Sequence, residues 1–99
     1  MRAKYDVIVP PAAIRKQGFT TGLEVSIVLH YKEVGTYADK RDEALESINN
    51  GLGNKVKTKS FPFFGDKAKH VDDEHSVLRF RIYCVDRATM LQAKLRIQF

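Results

Sequence analysis

The chain predicts a single α+β domain built on one antiparallel sheet, and three observations carry that reading. The first is strict alternation over residues 75–85. Leu78, Phe80, Ile82 and Cys84 fall on one side of a strand, and Val77, Arg79, Arg81 and Tyr83 fall on the other. The second is a helical pattern over residues 36–50, where Tyr37, Arg41, Ala44, Leu45 and Ile48 recur at three- and four-residue spacing. The third is a faint internal echo. Tyr37-Ala38-Asp39-Lys40-Arg41 and Tyr83-Cys84-Val85-Asp86-Arg87 each open a helical stretch followed by an alternating one. Two such units in tandem predict β-α-β-β-α-β, a ferredoxin-like arrangement with an extra short N-terminal strand and one antiparallel sheet covered by two helices. Residues 1–99 form one domain on this reading, with 1–23 as a strand-and-turn extension and 24–99 as the split β-α-β core.

Taken in order, residues 5–9 form a short apolar strand stopped by Pro10-Pro11, placed at an edge because proline cannot donate to a ladder. Residues 12–17 have room for one helical turn, and 18–22 form a turn between two glycines. Residues 24–32 alternate, with Val25, Ile27, Leu29 and Tyr31 inward and Ser26, Val28, His30 and Lys32 outward. Thr36 with Asp39 resembles a capping box for the first helix, and Asn49-Asn50-Gly51 supplies its stop. Residues 55–61 form a strand with Lys55, Lys57, Lys59 and Phe61 on one side and Val56, Thr58 and Ser60 on the other. A long polar and aromatic loop follows over 62–74. After the strand of 75–85, Asp86 caps a short helix over 87–93. Residues 94–99 are expected to be a last strand, with Leu95, Ile97 and Phe99 inward and Lys94, Arg96 and Gln98 outward.

Composition narrows the function classes. Ninety-nine residues with 43% apolar and 29% charged side chains predict one soluble globular domain. No apolar run approaches the length of a membrane span, and the start lacks a signal-peptide core, so a cytoplasmic protein without membrane contact is expected. One cysteine, Cys84, excludes a disulfide framework. The net charge of +5 is unevenly placed: residues 1–50 carry seven Lys/Arg and seven Asp/Glu, and residues 51–99 carry ten and five. Such asymmetry predicts a localised basic surface and an anionic partner.

With the apolar set turned inward, the open sheet face is expected to carry Lys32, Lys55, Lys57, Lys59, Phe61, Arg79, Arg81, Tyr83 and Arg96. The cations would neutralise phosphate, and Tyr83 and Phe61 would stack on unpaired bases of single-stranded or structured RNA or DNA. Edge lysines also protect strands from aggregation, which accounts for Lys55, Lys57 and Lys59 but not for arginines on a central strand. The competing expectation is a small inhibitor or adaptor of the kind mobile elements encode. It would grip an acidic protein surface through the same face or through Phe61, Phe63 and Phe64 of the Phe61-Pro62-Phe63-Phe64-Gly65 stretch. A homodimer is compatible with either.

His70, Asp72, Asp73, Glu74 and His75 place five metal-ligand types in six residues, but a polar loop leading into a strand explains them, and no metal site or cofactor is expected. The histidines, cysteine and serines show no catalytic spacing, and there is no glycine-rich phosphate loop, so no enzyme is expected. Val7-Ile8-Val9-Pro10-Pro11 through Gly18-Phe19-Thr20-Thr21-Gly22 to Ile27 resembles the strand–Pro–turn–Gly–x–x–x–Gly–strand signature of AbrB/MazE swapped-hairpin proteins, SymE-type members included. The resemblance covers residues 7–27 and implies a dimeric DNA-binding barrel or a toxin–antitoxin context, with Arg15 and Lys16 as nucleic-acid contacts. The chain departs from that pattern in being one residue short between Arg15 and Gly18. It also runs into a long strand and helix where a short return strand would follow.

Overall fold

A four-stranded antiparallel sheet with the order β1-β2-β4-β3 organises the molecule: β1 is Arg2–Ile8, β2 Thr21–His30, β3 Val56–Ser60 and β4 His75–Cys84. The structure is a computed structural model and describes residues 2–61 and 74–99. Among the described residues three α-helices accompany the sheet: α1 (Ala12–Arg15), α2 (Val34–Leu52) and α3 (Arg87–Leu95). Both β2 and β3 run antiparallel to β4 and therefore parallel to each other. Helix α2 links them, and β4 is inserted between them.

Alternation builds the core as the sequence predicts. Leu23, Val25, Ile27 and Leu29 of β2 and Leu78, Phe80, Ile82 and Cys84 of β4 are all buried, joined by Val56 of β3. Val34, Leu45 and Ile48 of α2 and Met90 and Ala93 of α3 close over them. Fully burying each large aliphatic or aromatic side chain contributes about 1.5–3 kcal/mol, so this layer dominates stability. Asp86 caps α3 as expected, its Oδ1 accepting the Thr89 N–H at 2.7 Å. That hydrogen bond holds the Asp86 carboxyl below the usual carboxylate range.

Several expectations are corrected. Residues 94–99 do not form a strand. Helix α3 runs to Leu95, and Arg96 and Ile97 donate turn hydrogen bonds to the carbonyls of Ala93 and Lys94. The edge beside β2 is already taken by β1, in register from Arg2 opposite Val28 to Ile8 opposite Gly22. A complete ferredoxin-like order needs a strand after α3, and residues 96–99 form none. Ile97 is buried nonetheless, and the Phe99 ring meets Phe80 at 6.1 Å between centroids.

Helix α2 is also longer than expected. A 3-10 turn, Tyr31–Glu33, leads into it, capped by the Lys32 N–H donating to His30 Nδ1 at 3.2 Å. Thr36 and Asp39 thus lie inside the helix rather than at its start, and Tyr31 is exposed instead of inward. At the other end Gly51 stays helical and Gly53, with φ +56°, ends the helix. A Cβ at Gly51 would stand 2.5 Å from Arg96 Cζ, so glycine there makes room for that guanidinium.

Candidate nucleic-acid interface

The sheet face opposite the core is laid out in cross-strand rows. Asp6, Glu24, Arg81 and Lys59 form one row. Lys4, Ser26 and Arg79 form the next, which Phe61 completes through its N–H on the Arg79 carbonyl at 3.2 Å. Ile8, Gly22, Tyr83 and Lys57 lie on one side of this charged band. Arg2, Val28 and Val77 lie on the other, followed by His30 opposite His75. Among the described residues these rows hold six Lys/Arg and two carboxylates.

The centre of the band is an ordered cluster. Glu24 Oε1 accepts the Arg81 Nε–H at 3.1 Å and stands 3.7 Å from Arg79 Nε, which is buried without a hydrogen bond. Arg81 also donates through Nη1 to the Tyr83 hydroxyl at 3.4 Å. That bond, with Glu24, raises the Arg81 pKa against the opposing effect of burial. Arg79 Cζ lies 4.5 Å from the centroid of the Phe61 ring, and Arg81 Cζ and Lys59 Nζ each lie 5.1 Å from it. Three cations therefore surround one aromatic ring, within the range where the ring quadrupole attracts them. Beside the band, a shallow cleft of about 560 Å³ has Val28 and Val77 among its apolar lining, with Arg2 and Lys4 also lining it.

Of the residues expected to share this face, Lys57, Lys59, Phe61, Arg79 and Arg81 do. Tyr83 points the same way but is 2% exposed, which excludes it from stacking on a base. Its ring lies across Gly22, where an added Cβ would come within 3.3 Å of it. The connection from β1 to β2 reaches over this end of the sheet, and Gln17 Oε1 accepts from Lys57 Nζ at 3.1 Å. Lys32 and Lys55 flank the face at opposite ends. Lys32 lies in the turn after β2, its Nζ 5.9 Å from the Tyr31 ring centroid. The Lys55 carbonyl accepts the Val85 N–H, and its ammonium helps lower the Asp86 pKa.

Arg96 is in the wrong layer for this surface. It lies against Gly51 and lines a cleft with Lys40, Glu43 and Ser47 of α2. The cause is the helical course of α3, which keeps the chain end in the helix layer, on the core side of the sheet. Phe63 and Phe64 lie outside the described residues, as do His70, Asp72 and Asp73. Arg15 and Lys16 are exposed on and just after α1.

Three contributors escaped the sequence reading. Glu24 has the same parity as Ser26 and Val28, so alternation alone was enough to place it on the open face. Arg2 and Lys4 join because β1 begins at Arg2, ahead of the apolar run that marked it. Among the described residues no helix is long and apolar enough to cross a membrane, and no group of three or more His, Cys, Asp or Glu is placed to hold a metal ion. No protein-family model, curated protein or solved structure matches this chain.

Proposed function

We propose that this chain is a binding module that holds nucleic acid on the open face of its sheet. The observation that carries this reading is the cluster of Arg79, Arg81 and Lys59 around the Phe61 ring. Guanidinium planes and an aromatic ring side by side suit a phosphate and its neighbouring base, and an open sheet suits an unpaired strand better than a duplex groove. Lys57, Arg2 and Lys4 extend the positive path across the sheet, and the Val28–Val77 floor offers an apolar seat for a second base. Tyr83 serves as a positioning residue through its hydroxyl on Arg81.

The test is binding of labelled single-stranded and double-stranded DNA and RNA at about 50 and about 200 mM salt, the range over which phosphate contacts declare themselves. Single strands should bind with steep salt dependence. Arg79→Ala with Arg81→Ala should weaken binding and reduce the single-strand salt slope by about 1.4, as expected for two lost phosphate contacts. Absence of binding at the lower salt, or an unchanged slope in the double variant, would overturn the reading in favour of an acidic protein surface as partner.

A further inference from the structure

We infer that the outer edge of β1 is a self-association surface, where a second copy of this chain adds its own β1 antiparallel about a twofold axis at Tyr5. Among the described residues β1 has β2 as its one neighbour in the sheet, so its other edge presents the backbone donors and acceptors of alternate residues along a seven-residue strand. An edge of that length is a template for strand addition unless something blocks it. Its side chains are self-complementary. A dyad at Tyr5 sets Lys4 opposite Asp6 of the second copy, and Asp6 opposite its Lys4. Ala3 then meets Val7, and Tyr5 meets Tyr5. Symmetry makes this one charge pair occur twice, so the ladder carries two.

Neighbouring registers carry a like-charge clash that this one avoids. A dyad at Lys4 sets Arg2 opposite Asp6 of the second copy but opposes the two lysines directly, and a dyad at Asp6 opposes the two aspartates. Opposite charges directly across a ladder stabilise it and like charges destabilise it, so the charge pattern selects Tyr5. In the single chain Lys4 and Asp6 pair only along their own strand, at 3.7 Å and largely in water.

Exposed apolar surface supports the same edge independently. Among the described residues the exposed large hydrophobics are Val7, Val9, Tyr31, Leu91 and Leu95. Val7 lies on β1 and Val9 directly after it. Lys94 of α3 sits with Nζ 5.3 Å from the Tyr5 ring centroid, so that side of α3 turns toward β1. Going round the helix from the buried Met90, Lys94 comes first on that flank, and Leu91 and Leu95 follow on the outer side, away from the buried Thr89, Met90 and Ala93. Two of the five exposed large hydrophobics therefore lie on β1 or directly after it.

The Tyr5 register also keeps residues of equal parity opposite one another. Both helix layers then lie on one side of a continuous eight-stranded sheet, and both basic faces lie on the other.

The test is sedimentation equilibrium of the intact protein without nucleic acid, from about 1 to about 300 μM. A reversible dimer is expected. Asp6→Lys and Lys4→Asp should each raise its dissociation constant at least about tenfold. The combined Lys4→Asp/Asp6→Lys variant should restore it, because the swap re-creates both pairs across the dyad. Val7→Glu, at an exposed position of β1, should also weaken it, and thermal melts confirm that each variant stays folded. A monomer throughout the range, a dimer indifferent to the single reversals, or failure of the double variant to recover would overturn the inference. No nucleic acid is present, so failure here is separate from failure of the binding reading above.

Discussion

Strand β4 presents two faces that differ in kind. On one, Leu78, Phe80, Ile82 and Cys84 are fully buried among residues that only need to exclude water. On the other, Arg79 and Arg81 are half-buried around a single carboxylate and a phenylalanine ring. On the proposed binding role, a two-residue periodicity assigns stability and recognition to alternate positions of one strand. Changes on one face should leave the other's property largely intact.

The largest effect that breaks this division is on the core side. Phe80→Ala should lower unfolding free energy by about 3–5 kcal/mol, read from urea titration, because the cavity lies where β2, β4 and the helices meet. The Arg79→Ala/Arg81→Ala variant should cost only about 1–2 kcal/mol, through the Glu24 carboxylate left without its partners, while removing most nucleic-acid affinity. If the arginine variant proves the less stable of the two, the division of labour is wrong.

Glu24→Gln sharpens the comparison. It keeps the shape of the cluster and frees both guanidiniums, so single-strand affinity at about 50 mM salt should rise about threefold to tenfold. Lower affinity would mean that Glu24 orients the arginines more than it competes for them.

The smallest effect concerns Cys84. Burial pushes its thiol from the ordinary 9.0 up to about 11. A thiol agent such as iodoacetamide should therefore leave the native protein unmodified near neutral pH and react only once it unfolds. The folded state holds this proton more tightly than the unfolded chain does. The stabilisation is therefore fully present below the unfolded value and is lost as pH rises from about 9 through about 11. Cys84→Ala should flatten the pH dependence of the melting temperature in that window.

Much of this was legible in the sequence because it is local. Alternation identified β2, β3 and β4 and, Tyr31 apart, their inward residues, and Asp86 ahead of residues 87–93 identified the cap of α3. The failures have long-range causes. Leu95, Ile97 and Phe99 alternate like a strand, but the sheet edge they would need is held by β1 from the far end of the chain. Tyr83 has the parity of a surface residue and is buried by packing on Gly22, with the β1–β2 connection crossing that end of the sheet. Arg96 is misplaced by the same helix that replaces the last strand. Glu24 is different: alternation placed it, and a listing of cations alone passes over the carboxylate that organises them.

The insertion of β4 between β2 and β3 also has a kinetic consequence. The longest ladder joins β2 to β4 and runs from His30 with His75 to Thr21 with Cys84, so every pair in it closes a loop containing the whole of α2. The β1–β2 pairing and α2 are local and can form early, but neither can bury its apolar side until β4 arrives. Loop closure precedes the contacts that reward it, so docking of β4 sets the rate at which the molecule folds. Val25, Ile27, Leu78 and Phe80, where β2 and β4 first exclude water together, are where substitutions should slow refolding rather than speed unfolding.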